Sequence, residues 1–371
     1  MISNYDFVFL FNKTRHLNYI FNLNEIYKKR KVGYIFLNDR ERIKTTLKKL
    51  FTLMSFDEIK NFNNINTKKL IINVGIYSNK DIEKIKLINA HKKFIYFGLT
   101  NPSNLFFKFK KEGLNIDKCI FINKHIFYFR KKLFNEKKIE RSKLLFGKIE
   151  HKKNKFIENK VNCDYIIAFP TQFSFADQKS KIFFLKNINK LIDSIDPKKK
   201  IIIKYHNSQN NIYDLFESKI YIPIYYFFSF IKFSLLFHLI EKKLKVNFFE
   251  KIKNIFIIID YFMKIKKKTQ NLNRLTNYHF LSLEIFLPYV TTGLITGQSN
   301  SIWHGLNSHL KVYNCALDNY DKKNFINYEK KIHKYFIKFL GIKCCNGNIK
   351  YNSNNKKILA ISEKKQFLKL I

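Results

Sequence analysis

Short runs of consecutive apolar residues recur through the first half of the chain, separated by longer stretches whose apolar positions fall three or four apart. The runs are DFVFLF at 6–11, VGYIFL at 32–37, LIINVG at 70–75, FIYFG at 94–98 and CIFIN at 119–123. Each has the length of one strand, and an unbroken apolar run marks a strand covered on both faces. Leu17, Ile20, Phe21 and Ile26 follow the first run at near-helical spacing, and Leu47, Leu50 and Phe51 follow the second. A further helical pattern separates LIINVG from FIYFG. Strands alternating with helices predict a parallel sheet with helices packed on both sides.

A lysine-rich segment, KKIERSKLLFGKIEHKKNKFIENK at 137–160, interrupts this pattern and reads as a linker. Beyond it the pattern restarts with DYIIAFP at 164–170, a helix over 179–195, and KIIIKYH at 200–206 running into polar NSQNN. An apolar segment and a long basic helix fill roughly 220–268. SLEIFLP at 282–288, GLITG at 293–297, a polar QSNS turn, a short helix and KVYN at 311–314 come next. Near the C-terminus, Ile332, Tyr335, Phe336, Phe339 and Leu340 form one helical face opposite Lys331, Lys334 and Lys338. No internal repeat of fixed period is present. The expected fold is α/β, with two Rossmann-like domains facing a central cleft. Their expected limits are 1–150 and 160–350, with 351–371 as a tail.

Composition changes this picture in two ways. Hydrophobic residues make up 46% of the 371 and aromatics 17%, enough for a sizeable core and against global disorder. Lys and Arg outnumber Asp and Glu by 70 to 28, a formal charge of +42, and such a field attracts polyanions. Most of that charge goes with the Lys, Asn, Ile, Phe and Tyr bias of an AT-rich genome. The lysines are spread along the whole chain and no helix-turn-helix, RRM, KH or zinc-finger pattern occurs, so no specific nucleic-acid partner is expected.

Cys119, Cys163, Cys315, Cys344 and Cys345 show no CxxC spacing and read as reduced structural thiols. The N-terminal MISNYDFVFLF is too short and too early-acidic for a signal peptide, so a cytoplasmic location is expected. IYIPIYYFFSFIKFSLLFHLI at 220–240 approaches the ~20 apolar residues of a membrane span. Its Pro223, Lys232 and His238 make a buried or interfacial helix the better reading. Basic flanks at 241–245 and 264–268 would meet anionic headgroups, so peripheral contact with the inner membrane is expected.

Two segments carry candidate chemistry. In TTGLITGQSNSIWHGLNSHLKVYN at 291–314 a strand ends at Gly297, and a helix begins near Ser299 to Ser301. Helix N-terminal N–H groups and the positive end of the dipole attract anions. Gly297, Gln298, Ser299, Asn300 and Ser301 are therefore candidate phosphate ligands, although a serine-capped helix start is common in any such fold. In IIIKYHNSQNN at 201–211 a buried strand delivers Lys204 and His206 to a sheet edge, where a histidine can stabilise a departing phosphate. Trp303 and His304 read as residues packing the helix onto the sheet. His279 and His309 have no companion ligand at metal spacing, so no metal is expected.

KxH at the end of one strand, followed by a second apolar strand and an S-x-S turn opening a helix, resembles the bacterial sialyl- and polysialyltransferases of GT-B fold. In that family a His-Pro pair and a Ser/Thr pair contact the CMP part of a CMP-sugar. KYHN takes the first place here and QSNS the second. FLSLEIFLPYVTTGLITGQSNSIWHGL resembles the approach to the serine motif, with Glu284 upstream, and TQFSFADQ at 171–178 resembles the loop after the first strand of the nucleotide domain. His206 is followed by Asn207 rather than proline. If Gly98 ends the family's acidic motif, Tyr96 and Phe97 stand where its carboxylates should be. The general base then falls to Asp177 or Glu284.

The resemblance implies transfer of a sugar, sialic acid from CMP-sialic acid being one case, from a nucleotide-sugar to a glycan or glycolipid acceptor of capsule or lipopolysaccharide. It implies a GT-B-like fold with the acceptor side at 1–150 and the nucleotide-sugar donor side at 160–350, and no bound cofactor or metal. A teichoic-acid-type polyol-phosphate transferase, a non-catalytic polysaccharide-assembly protein and a nucleic-acid-binding protein are the competing readings.

Overall fold

The computed structural model describes residues 3–12, 20, 30–37, 48–49, 51–52, 54–98, 105–121, 144–146, 153, 157, 161–170, 178–205, 248–276, 281–297 and 299–315. They form two compact α/β units. The first contains Met1–Ile157 and Phe280–Pro288, and the second Glu158–His279 and Tyr289–Asn354.

In the first unit the strands are β1 (Ser3–Phe11), β2 (Val32–Phe36), β3 (Asp57–Glu58), β4 (Ile65–Asn73), β5 (Asn89–Gly98), β6 (Lys118–Phe121) and β7 (Leu144–Phe146). They build a seven-stranded sheet in the order β3-β2-β1-β4-β5-β6-β7, with every pairing parallel. Each apolar run from the sequence overlaps one of these strands, because a parallel strand buried on both faces must be apolar at successive positions. Helix α1 (Asn79–Lys86) starts at Ser78, whose hydroxyl accepts from the Asp81 N–H while the Asp81 carboxylate accepts from the Ser78 N–H. This reciprocal cap satisfies two donors that the first turn would otherwise leave open. Helix α2 (Leu105–Lys111), which the spacing did not predict, buries Phe106 and Phe109.

One face of the sheet carries Val8, Leu10, Ile72, Ile95 and Phe97 against Ile82, Ile85 and Phe109 of the two helices. On the other face Phe9, Phe11, Phe51 and Phe56 stack as a row of rings with centroids 5.7–6.3 Å apart.

The second unit runs β8 (Cys163–Ala168), α3 (Gln178–Asp193), β9 (Ile201–Lys204), α4 (Phe248–Lys268), β10 (Gln270–Asn271), α5 (Leu272–Leu275), β11 (Val290–Thr296), α6 (Asn300–Asn307) and β12 (Lys311–Asn314). Its sheet has the order β10-β9-β8-β11-β12 and is parallel throughout. Counted from its own first strand, this order repeats that of the first sheet. Strands two and three lie to one side of the first, and strand four to the other, which is the Rossmann arrangement. Both expected Rossmann-like halves are therefore present.

Helices α3 and α4 cover one face of the second sheet. Asn189 joins them, its Nδ2 donating to the carbonyls of Leu185 (2.9 Å) and Tyr261 (3.0 Å). Phe169, Tyr205 and Phe262 meet beneath them.

One expectation changes. The lysine-rich 137–160 segment is not simply a linker: Leu144–Phe146 within it pairs with Cys119–Phe121 and extends the first sheet. Three apolar residues suffice once a preformed edge supplies the hydrogen-bond partners. Leu283–Ile285 and Leu287–Tyr289 are 3-10 turns, and Pro288 has no N–H to give a ladder. The whole of SLEIFLP belongs to the first unit.

Cys119, Cys163 and Cys315 are buried thiols, and burial pushes the Cys163 thiol up to about 12. Cys344, Cys345, the 220–240 segment and the helical face at 332–340 lie outside the described residues. Among the described residues no helix is long and apolar enough to cross a membrane.

Candidate functional site

In an open parallel sheet, ligands bind beyond the carboxyl ends of the strands where the strand order reverses. In the second unit that point lies between β8 and β11. The register places Lys204 opposite Ala168, Ala168 opposite Thr296 and Thr296 opposite Asn314. Residues opposite one another in parallel strands project to the same face, so these four form one row across the carboxyl edge. Lys204 is 4% exposed, Thr296 0% and Asn314 1%, so three polar side chains are buried at the ends of strands that are otherwise apolar. Thr296 Oγ1 donates to the Ala168 carbonyl at 2.9 Å, and Lys204 Nζ to the Tyr205 carbonyl at 3.4 Å. The row's second member, Ala168 at the switch point, is small.

The turn after β11 lies directly beyond this row. A Cβ at Gly297 would stand 2.9 Å from Pro170 Cγ and 3.3 Å from Phe184 Cε2. The chain leaving β11 thus touches the chain leaving β8, and only glycine permits the approach. Helix α6 begins immediately after, with Ser299 as N-cap; its hydroxyl accepts from the Ser301 N–H at 3.2 Å.

Gly305 sets the position of this helix. A Cβ there would lie 2.6 Å from Leu294 Cδ2 and 2.8 Å from Val312 Cγ2. These side chains share the face of Thr296 and Asn314, two residues before each. The four residues from Gly305 back to Ser301 rise about 6 Å. The two strand residues from Leu294 to Thr296 advance about 6.6 Å. Because the connecting helix runs antiparallel to the strands, its first turn is level with the Lys204–Ala168–Thr296–Asn314 row and on the same face. Outward N–H groups, the positive end of a helix and a buried lysine thus occupy one sheet edge, an arrangement that favours an anion.

Behind the turn, Trp303 and His304 are 2% and 4% exposed and pack α6 onto the sheet. Burial lowers the His304 imidazole to about 4, so it is neutral at pH 7. Among the described residues no group of His, Cys, Asp or Glu is placed to hold a metal ion.

Of the residues singled out in the sequence, Lys204, Gly297, Ser299, Asn300 and Ser301 all come to the carboxyl edge of the second sheet. Glu284 lies in the first unit, 3% exposed, near Tyr96 at the carboxyl end of β5. Burial, and after it the Glu284 charge, push the Tyr96 phenol well above its ordinary value. His206, Asp177 and Gln298 lie outside the described residues. Thr296 and Asn314 were not anticipated, although a signal existed: IIIK, GLIT and KVYN are apolar strands that each end on a polar residue.

No protein-family model matches this chain, and no curated protein matches it. Among solved structures it is similar to the S. aureus MnaA-UDP co-structure, with 8% sequence identity, a TM-score of 0.42, and coverage of 97% of this chain and 86% of that one. It is also similar to a structure of accessory secretory protein 1, 2 and 3 in Streptococcus pneumoniae, with 9% identity and a TM-score of 0.28. That match covers 72% of this chain and 46% of that one, less than half of its length. At these scores neither likeness bears on function, and the Rossmann strand order of the two sheets stands on the hydrogen-bonded pairings alone.

Proposed function

We propose that the chain is a glycosyltransferase that binds the phosphate of a nucleotide-sugar at the carboxyl edge of its second unit. The observation that carries this reading is the coincidence, on one face of one switch point, of the Gly297–Ser301 turn opening α6 with the buried Lys204. The backbone N–H groups of α6 and the hydroxyls of Ser299 and Ser301 would hold the phosphate oxygens. Lys204 would supply the countercharge that stabilises the nucleotide as it departs. On the resemblance to bacterial sialyltransferases, the donor is a CMP-sugar, CMP-sialic acid in the simplest case, and His206 assists the leaving phosphate. The acceptor would be a capsular or lipopolysaccharide glycan, and Asp177 or Glu284 would remove the proton from its hydroxyl.

A thermal-shift panel with CMP, CDP, UDP, UMP and GDP tests the reading. A ligand that binds only the folded chain stabilises it by ~2.7 kcal/mol at a hundredfold excess over its dissociation constant. Selective stabilisation by CMP, abolished in Ser301→Ala and Lys204→Met, supports a CMP-sugar transferase. Stabilisation by CDP or UDP instead discards the sialyl assignment and keeps the site. No response to any nucleotide overturns the proposal.

A further inference from the structure

The outward faces of α3 and α4 form one continuous surface. Along α3 the exposed positions are Lys179, Phe183, Lys186, Lys190 and Asp193, and along α4 they are Glu250, Lys253, Phe256, Asp260, Lys264, Lys267 and Lys268. Steps of three and four residues, with Lys268 directly after Lys267, keep each set on one helical stripe. Ion pairs join the stripes at both ends, Lys179 to Glu250 at 3.5 Å and Lys268 to Asp193 at 2.5 Å. The helices therefore run in the same direction, with residues near 183 level with those near 254.

Each stripe carries one exposed phenylalanine at that level. Phe256 is 66% exposed and Phe183 37%, and both belong to the small set of large apolar side chains in the described residues that face water. Around them stand seven lysines and three acidic residues. All three acids are engaged by lysines: Glu250 and Asp193 in the bridges between helices, and Asp260 by Lys264 at 2.7 Å. Lys186, Lys190, Lys253 and Lys267 are left to set the sign of the surface.

We infer that this face of α3 and α4 docks the protein on an anionic membrane, with Phe183 and Phe256 entering the headgroup boundary and the surrounding lysines meeting lipid phosphates. Two apolar rings within a cationic field match both features of such a surface, an apolar layer beneath a negative one. A nucleic acid backbone would satisfy the lysines but leave both rings without an apolar partner. Helices that connect parallel strands run antiparallel to them, so both phenylalanines lie in the halves nearer the sheet's carboxyl edge. The inference goes beyond the proposed transferase and shares no residue with its nucleotide site.

Co-sedimentation of the full chain with vesicles tests it, comparing pure phosphatidylcholine with a mixture containing one-third phosphatidylglycerol at physiological ionic strength. Binding is expected to the mixed vesicles and to be weak on the neutral ones. Phe183→Ser/Phe256→Ser, which leaves the charge unchanged, should weaken binding about tenfold. Lys186→Gln/Lys190→Gln/Lys253→Gln should weaken it by roughly tenfold or more. The same charge removed from the first unit in Lys80→Gln/Lys84→Gln/Lys111→Gln should cost less than about threefold, since those lysines lie outside the patch. The inference is overturned if the phenylalanine variant binds like the parent, or if the first-unit variant loses as much as the patch variant. It is also overturned if a duplex oligonucleotide binds the phenylalanine variant and the parent equally and displaces both from vesicles. Circular dichroism melts confirm that each variant folds. The nucleotide panel on the same variants keeps the two proposals apart, because patch variants should retain any nucleotide response.

Discussion

Gly297 and Pro170 are in contact although they leave different strands: a Cβ at Gly297 would approach the proline Cγ to 2.9 Å. The proline ring cannot rotate aside, so Gly297→Ala must displace either the β11–α6 turn or the end of β8. Overpacking of this kind costs about 1–3 kcal/mol. Urea denaturation of Gly297→Ala should show that loss, and any nucleotide that stabilises the parent should bind the variant more weakly. A variant as stable as its parent would show that the contact is slack.

Ser299 and Ser301 should separate structural from ligand-binding roles. The Ser299 hydroxyl caps α6, so Ser299→Ala should lower stability by about 1 kcal/mol as well as nucleotide affinity. Ser301 donates its backbone N–H to that cap and needs no hydroxyl to do so. Ser301→Ala should therefore stay within about 0.5 kcal/mol of the parent in denaturation while losing nucleotide affinity in calorimetric titration. Equal affinity in the parent and Ser301→Ala would remove that hydroxyl from the site.

His304 makes stability depend on pH in a defined window. Its imidazole is held down to about 4 by burial, whereas in the unfolded chain it titrates near 6.5. Between these values the unfolded state binds the extra proton, so acidification favours unfolding, and the full effect is about 3 kcal/mol. Stability attributable to His304 should be complete above pH ~6.5 and fall progressively towards pH ~4. His304→Gln cannot titrate and should have the flatter profile in that range, whatever its baseline stability. Parallel profiles for the two proteins would contradict the burial argument.

Gly305→Ala sets two effects against each other. Alanine in a helix interior is favoured over glycine by about 0.5–1 kcal/mol. The added methyl, however, would meet Leu294 at 2.6 Å and Val312 at 2.8 Å in a closed core. Overpacking costs about 1–3 kcal/mol and outweighs that gain. Net destabilisation is expected in a denaturant melt, and a rise in stability would mean that the sheet face yields easily.

Much of this molecule is readable from residue order. Strands buried on both faces must be apolar at consecutive positions, so DFVFLF, LIINVG, YIIAF and GLITG declare themselves without any structure. The start of α6 at Ser299 is equally legible, because a serine after a strand-ending glycine is a common helix cap. Residue order could not show that Lys204, Ala168, Thr296 and Asn314 share a row. Their register depends on how strands remote in sequence slide past one another until α6 seats on Gly305, and packing energy decides that. Nor could it show that the three apolar residues of β7, set among lysines, complete a sheet, or that Glu284 packs with the first unit rather than its sequence neighbours. Hydrophobic periodicity records whether a residue is buried. Which surface buries it, and which residues such as Phe183 and Phe256 are left uncovered, is settled only when the elements pack.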